Sequence, residues 1–203
     1  MPLLVSEFFW SFGENVYASI YGHVRTKAFA AMTLTTPLQS LVIGALSGIS
    51  QAAGVMIGKR LGADDTGDAY RASKKLLLTG FICSAILSFG VVILNRYYVL
   101  IFQVEDEVRQ MTRYILFVYA AVAPLKVQNM IMGGILRSGG RTTYVMVIDL
   151  IGTWIFGVPL GLLAAFALRL PIAAVYFILS MEEGIRVVIS YIVFMKKKWM
   201  RRF

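Results

Sequence analysis

The sequence predicts an all-α membrane protein with six transmembrane helices, and two observations carry this prediction. The 203-residue chain is 58% hydrophobic with a mean hydropathy of +0.72, whereas only 15% of its residues are charged. A soluble domain is about half apolar and about a quarter charged. Long stretches, such as residues 28–58, also contain no Asp, Glu, Lys or Arg. This composition argues against a soluble enzyme, a disordered tail and a nucleic-acid-binding domain.

Six stretches reach or approach the ~20 apolar residues that a helix needs to cross ~30 Å of hydrocarbon. In chain order they are roughly 3–22, 28–57, 76–94, 114–136, 142–168 and 172–195. The second and third contain no charged residue, whereas the other four carry charged side chains within the apolar run. These side chains are Glu7, Glu14, Lys126, Asp149, Glu182, Glu183 and Arg186.

The basic residues orient the six spans. The net charge is +9, and the side that holds both termini has twelve Lys and Arg residues against six on the other side. Basic loops favour the cytoplasm. We therefore expect a multi-pass protein of the cytoplasmic or plasma membrane, with both termini cytoplasmic. The tail, residues 196–203, combines five basic residues with Trp199. It predicts an anchor that contacts anionic membrane lipids rather than nucleic acid.

Two further features limit the chemistry. Cys83 and His23 are the single residues of their types, which excludes an internal disulfide and a multi-His metal site. On the outer side, the acidic run 105–107 is followed by Arg109 and Arg113. This pattern predicts a solvated loop whose charges pair with one another.

Several strings together resemble one transporter family. They are GISQA at 48–52, GKRLGA at 58–63, GILRSGG at 134–140, Trp154 with Pro159, and the Glu182, Glu183 and Arg186 group. Their order and spacing resemble the C-terminal half of the multidrug and toxic compound extrusion (MATE) transporters. The resemblance implies a six-helix lobe over residues 1–195, followed by the basic tail 196–203. It also implies efflux of small organic, often cationic compounds in antiport with H⁺ or Na⁺, without another cofactor.

The same resemblance implies that the chain supplies half of a transporter. Members of the family have about twelve helices in two lobes, and the chain begins where the seventh helix of a complete transporter begins. We therefore expect a truncated product, a fragment or half of an assembly, completed by a separate chain or by a second copy. The chain also has Arg141 where the family commonly has Asp after two glycines, and Arg25 where it usually has Gly. Both differences bear on coupling rather than on the fold.

Charged groups inside a bilayer are costly, so each one needs a reason. Glu7 and Glu14 are two helical turns apart and share a helix face with Ser11, where they can bind a proton, Na⁺ or a cationic substrate. Asp149 lies about 12 Å along a helix from Arg141 and is the best candidate for a buried carboxylate that binds the coupling cation. The alternative for Asp149 is a structural pair with Lys126, or a hydrogen bond to Asn129 or Thr153. Glu182 is a further candidate for lining a cavity.

Other polar residues favour structural roles. Glu183 and Arg186 are three residues apart and can pair on one helix face. Lys126 and Asn129 follow Pro124, where a proline frees a backbone carbonyl that side chains must satisfy. Pro37, Pro124 and Pro159 mark bends that can serve as hinges.

These observations favour a cation-coupled exporter, with two alternatives. One is a lipid-linked oligosaccharide flippase of the same superfamily, and the other is an inactive remnant. Because the sequence shows no hydrolase, kinase or redox constellation, an enzyme is not expected.

Overall fold

The computed structural model describes residues 2–197, 199 and 200, and the side chains among them except those of residues 2–4, 6 and 7. Over this range the chain forms six long helices: α1 Pro2–Val24, α2 Thr26–Gly62, α3 Thr66–Leu100, α4 Asp106–Ser138, α5 Thr142–Ala167 and α6 Ile172–Met195. Helix α5 contains two π-helical stretches, Ile151–Gly157 and Leu163–Ala167. The predicted all-α fold with six helices is confirmed.

The six helices differ in how clearly their length and hydropathy identify them as membrane-spanning. Four of them, α2 to α5, are long and apolar enough to cross a membrane. Helices α1 and α6, with 23 and 24 residues, are also long enough at 1.5 Å per residue. Their charged side chains, however, include Glu182 and Arg186, which are buried inside the lobe. Large apolar side chains cover the exposed surface, as expected of helices that face lipid.

Helix α4 is the centre of the lobe. It packs against α2, α3 and α6 along its length and also contacts α5. Helix α1 lies on the other side, against α2 and α5. Small side chains let these helices approach closely, which is typical of membrane helix interfaces. Ala31, Ala53 and Ala123 are fully buried.

The contact between α2 and α4 depends on one glycine of the GILRSGG string. A Cβ atom on Gly134 would lie 2.6 Å from the backbone oxygen of Ser50. The Ser50 hydroxyl in turn donates to the carbonyl oxygen of Met130 at 2.6 Å. The GISQA string of α2 and the GILRSGG string of α4, two of those that carry the family resemblance, thus contact each other in the fold.

The predicted hinge prolines occupy two kinds of position. Pro37 and Pro124 lie inside the uninterrupted helices α2 and α4. Near Pro37 the carbonyl oxygen of Leu34 accepts a hydrogen bond from the Tyr98 hydroxyl at 2.7 Å. Pro159 is the second residue after the first π-helical stretch of α5. Their role as hinges stays a prediction.

The predicted position of Trp199 at the membrane interface is wrong, whereas anchoring by the basic residues of the tail stays a prediction. Its side chain is fully buried, stacks on Phe194 and donates from Nε1 to the Phe194 carbonyl oxygen at 3.0 Å. It packs against Gly139, where a Cβ atom would lie 2.8 Å from the indole ring. The next residue, Gly140, has a φ of 74°, a conformation that glycine adopts without strain. The α4–α5 turn therefore forms the surface on which the tail folds back. Lys198 and residues 201–203 lie outside the described residues.

The acidic outer loop pairs with a neighbour rather than only with itself. Arg109 does pair with Asp106 at 2.7 Å, as predicted. Glu105 and Glu107, however, lie 2.6 and 2.7 Å from Lys27 at the start of α2. Lys27 lowers the pKa of Glu107, and the two carboxylates raise the pKa of Lys27. This cluster joins the start of α2 to the start of α4.

Candidate functional site

Two neighbouring cavities open between the helices. The first has a volume of about 440 Å³ and is bounded by α1, α2, α4 and α6. The second, of about 430 Å³, is bounded by α1, α2, α4, α5 and α6. Both cavities share a set of lining side chains and together form one cleft, which we call the polar cleft. The shared side chains are Trp10, Glu14, Ile43, Lys126 and Glu183.

Glu14 is the acidic residue of α1 that reaches the polar cleft. It is exposed and lines both cavities. The amide of the following residue, Asn15, donates to the carbonyl oxygen of Ser11 at 2.8 Å and stays on the helix surface. The side chain of Glu7, the second predicted acid of this face, lies outside the described side chains. Of the predicted pair, Glu14 is therefore placed where a ligand can reach it.

A buried polar network joins α1, α5 and α6 beside the polar cleft. The hydroxyl of Tyr17 donates to Glu182 Oε2 at 2.5 Å. The other oxygen of Glu182 accepts from Arg186 at 3.2 Å, one helical turn along α6. Arg186 also donates to the hydroxyl of Thr153 and lies 3.8 Å from the carboxylate of Asp149. One guanidinium thus contacts two carboxylates from two helices.

The predicted pairing of Glu183 with Arg186 is therefore wrong, because Arg186 pairs with Glu182. Both acids fall within reach on a helix, at three and four residues, so spacing alone does not choose between them. Glu183 instead accepts from the Asn129 amide at 2.6 Å, and its backbone oxygen accepts from the same amide at 3.0 Å. Glu182 lines the first cavity as expected, although it is buried and held at both oxygens.

The π-helical stretch Ile151–Gly157 creates the space for this network. A Cβ atom on Gly152 would overlap the side chain of Arg186, with its Cγ at 2.6 Å. A Cβ atom on Gly157 would overlap both the Tyr17 hydroxyl and the Glu182 carboxylate. Such π-helical turns occur frequently at functional sites. The two glycines are a signal that the sequence offers, although their partners cannot be read from it.

Asp149 sits at the edge of the network. Its side chain is 26% exposed and lines the second cavity. The structural alternatives predicted for it named Lys126, Asn129 and Thr153. The structure gives it Arg186 as an ion-pair partner at 3.8 Å, while Asn129 and Thr153 bind Glu183 and Arg186 respectively. Asp149 is thus both accessible and charge-balanced.

Lys126 is half-buried and lines both cavities. Its ammonium group interacts electrostatically with Tyr176, Glu183 and Glu14. The ion pair that the structure shows for Asp149 is with Arg186, and its predicted pairing with Lys126 stays a prediction.

Two polar residues that line the first cavity, Gln39 and Tyr176, were not predicted from the sequence. Gln39 accepts from Tyr119 at its backbone oxygen at 3.2 Å and from Tyr176 at its side-chain oxygen at 3.3 Å. Its amide donates to the Thr35 hydroxyl at 2.8 Å. Gln39 and Tyr176 line the first cavity. Uncharged polar residues in apolar spans are common, so no pattern singled out these two.

Aromatic side chains form a wall along α1 and α5. The rings of Phe12 and Trp154 stack with their centres 5.4 Å apart, and Phe9 meets Trp154 edge-on at 6.0 Å. Trp154 is therefore already stacked on α1. Trp10, by contrast, is half exposed and lines both cavities. Within the described residues, no group of three or more His, Cys, Asp and Glu side chains is placed to hold a metal ion.

Comparisons with known proteins agree with this architecture. The sequence profile of the MatE family matches residues 2–163. Multidrug and toxin extrusion protein 1 of Xenopus tropicalis is 27% identical over 83% of this chain, and the match covers 29% of that protein. Multidrug and toxin extrusion protein 2 of Homo sapiens is 29% identical over 64% of the chain and 21% of that protein.

A solved structure resembles the lobe closely. The MATE transporter ClbM in complex with Rb⁺ superposes with a TM-score of 0.90 at 17% sequence identity. The match covers 98% of this chain and 47% of that one. The chain thus spans less than a third of these two curated relatives and about half of this solved structure.

Proposed function

Since this chain belongs to the MatE family, we propose that it is one six-helix lobe of a multidrug efflux transporter. The substrates are small organic compounds, mainly cationic, and they leave the cell in exchange for H⁺ or Na⁺. Two curated relatives are named for multidrug and toxin extrusion, which supports export of drugs and toxins. The multi-pass protein resides in the cytoplasmic or plasma membrane with both termini in the cytoplasm, as the basic residues favour.

The observation that carries the proposal is the position of Glu14. Its carboxylate is exposed in a cleft between membrane-spanning helices and lines both cavities. A carboxylate in this position can bind H⁺, Na⁺ or an organic cation, but not two of them at the same time. Mutually exclusive binding at one group is the simplest basis for exchange of a cation against a substrate.

Coupling also requires a structural element that responds to the bound cation. A ligand shifts a conformational equilibrium only as far as its affinities for the two states differ. The network of Tyr17, Glu182, Arg186 and Asp149 ties α1 and α6 to the π-helical part of α5. Asp149 lines the second cavity beside Glu14 and is the second candidate for cation binding. A cation bound at Asp149 competes with Arg186 for this carboxylate. It therefore weakens a contact between α5 and α6.

A second lobe completes the transporter in this proposal. Six spans return the chain to its starting side, so two such lobes lie parallel about an axis along the membrane normal. The second lobe is either another copy of this chain or a separate six-helix chain. Crosslinking in native membranes distinguishes these arrangements, and a strictly monomeric species would contradict both.

The proposal is tested by dye export from membrane vesicles that contain the full chain together with any second lobe found by crosslinking. We expect an ion gradient to drive uptake of a fluorescent cationic dye into inside-out vesicles. Glu14→Gln should abolish gradient-dependent uptake and Asp149→Asn should reduce it, whereas Glu105→Gln, in the outer loop, should leave it unchanged. Unaltered transport and ion dependence in both cavity variants would refute the site assignment.

The same vesicles separate the two alternatives. A lipid-linked oligosaccharide flippase would move a labelled lipid-linked sugar and not the dye. An inactive remnant would move neither compound under any gradient.

A further inference from the structure

A third cavity lies at the end of the lobe that is opposite the chain termini. It is bounded by the α1–α2 turn, the first part of α4 and the α5–α6 connection. Its volume of about 750 Å³ exceeds that of either cavity of the polar cleft, and within the described residues it shares no lining side chain with them. In a membrane, the ends of spanning helices lie at the level of the lipid headgroups.

Three basic side chains line this cavity: His23, Arg25 and Arg169. Among the described residues, neither Asp nor Glu belongs to the lining. A cavity lined by charges of one sign raises the local concentration of ions of the opposite sign. A guanidinium group also binds phosphate through two parallel N–H donors, which adds geometric specificity to the charge. The lining therefore favours an anionic ligand.

Arg25 can bind such a ligand while it keeps its contact with the outer acidic loop. It lies 3.6 Å from Glu107, and both side chains are exposed. Lys27 binds the same carboxylate more closely, at 2.7 Å. Because a guanidinium group has five N–H donors, this one contact leaves others available.

The other two basic residues are held in place by the fold. Arg169 has a φ of 48°, in the left-handed region that favours glycine. Residues held in such conformations are concentrated at ligand-binding sites. The ring of His23 stacks on Phe166 with the ring centres 3.8 Å apart, which fixes the imidazole at the cavity wall.

The rest of the lining is largely apolar and reaches the lipid-facing surface. Tyr114 and Phe166 line the cavity and are also exposed, as is Leu168 beside Arg169. The volume lies in the range of small-molecule sites. A soluble anion would leave the apolar wall uncovered, whereas a phospholipid covers it with an acyl chain and places its phosphate among the basic side chains.

We propose that this cavity binds an anionic phospholipid, whose phosphate contacts Arg25 and Arg169 and whose acyl chain lies against Phe166. Basic pockets between membrane helices recognise lipid headgroups in this way. A zwitterionic headgroup would place its own cation beside the same basic side chains, so it binds less tightly. The site is separate from the polar cleft and goes beyond the proposed export function.

The test compares two phospholipids with identical acyl chains on the purified full chain in detergent. Phosphatidylglycerol has a net negative charge, whereas phosphatidylcholine adds a cation to the same phosphate. Native mass spectrometry of a lipid titration measures both dissociation constants from the lipid-bound fractions. We expect phosphatidylglycerol to bind about tenfold tighter, the gain typical of one charge-assisted hydrogen bond.

Substitutions locate this preference. Arg169→Asn removes the charge with a residue that tolerates the left-handed backbone, so it should remove most of the preference. Arg169→Lys should retain part of it because the charge remains, and Arg25→Gln should weaken it. Arg96→Gln is the matched control, because Arg96 is exposed near the end of α3 on the same side and does not line the cavity. This variant should bind both lipids like the wild type.

Equal binding of the two lipids by the wild-type chain would overturn the proposal without any variant. A preference that survives Arg169→Asn would place the anionic lipid elsewhere, for instance at the basic tail, and would overturn this site. If that variant does not fold, Arg25→Gln decides in the same way. Displacement of phosphatidylglycerol by equal concentrations of glycerol 3-phosphate or inorganic phosphate would overturn the lipid assignment in favour of a soluble anion. Dye export is not measured here, so failure of the proposed function and failure of this inference are distinguishable.

Discussion

The hydroxyl of Tyr17 in α1 donates a hydrogen bond of 2.5 Å to the buried carboxylate of Glu182 in α6, 165 residues further along the chain. This contact joins the first helix of the lobe to the last. It also fixes one oxygen of Glu182 while Arg186 binds the other at 3.2 Å. The ends of the lobe are thus connected through polar groups rather than through apolar packing alone.

Removing the Tyr17 hydroxyl should destabilise the lobe. Tyr17→Phe leaves a buried carboxylate oxygen without its donor, which costs about 1–3 kcal/mol. Thermal unfolding in detergent measures the loss, and Tyr97→Phe is the control because Tyr97 is 67% exposed. Equal melting temperatures for the two variants would mean that the Tyr17 hydrogen bond contributes nothing to stability.

The glycine at position 157 should be intolerant of a methyl group. In Gly157→Ala the new Cβ atom overlaps the Tyr17 hydroxyl and the Glu182 carboxylate, so the network must open or α5 must shift. Overpacking of this kind costs about 1–3 kcal/mol. Gly90→Ala in α3 is a matched control, because its Cβ atom meets nothing within 4 Å. We expect a lower melting temperature and weaker dye transport for Gly157→Ala, and neither change for Gly90→Ala.

Arg186 should be more important to the lobe than either of its carboxylate partners alone. Arg186→Met leaves Glu182 buried beside Asp149 without a cation, and breaking a buried ion pair costs about 3–5 kcal/mol. Adding Glu182→Gln should recover part of this loss, because the buried carboxylate that lost its cation is then replaced by a neutral amide. A double-mutant cycle from chemical or thermal unfolding measures the coupling. Strictly additive effects of the two substitutions would contradict a direct interaction.

The sequence predicts the helices of this lobe better than the contacts among its polar residues. The charge-free run 28–58 and the apolar composition suffice for the spans, since bilayer thickness sets the helix length. The polar positions Glu14, Asp149, Glu182 and Arg186 were also recognisable as exceptions within apolar runs. Their partners were not, because Glu182 and Glu183 are both within reach of Arg186 along one helix.

Two other contacts, those of Gly157 and of Trp199, could not be predicted from local sequence patterns. The π-helical turn at Ile151–Gly157 changes the angular position of every residue after it, so an α-helical period places Gly157 incorrectly. Trp199 follows a basic run that favours the membrane surface, yet it fills the space beside Gly139. In both cases a glycine leaves the space for a side chain that lies far from it in the sequence.

The outer cluster around Lys27 should make stability depend on pH in a predictable direction. Because Lys27 lowers the pKa of Glu107 in the folded chain, this carboxylate stabilises the fold above its unfolded pKa of ~4.3. The contribution is lost as the pH falls through the folded pKa. The pKa of Lys27 is raised, so its own contribution is present below its unfolded pKa of ~10.4 and is lost at higher pH.

Melting temperatures of wild type and Lys27→Met should therefore differ most near neutral pH and converge at both extremes. Salt should reduce the difference, since the pair is exposed. A difference that grows below ~pH 4 would contradict the assigned pairing.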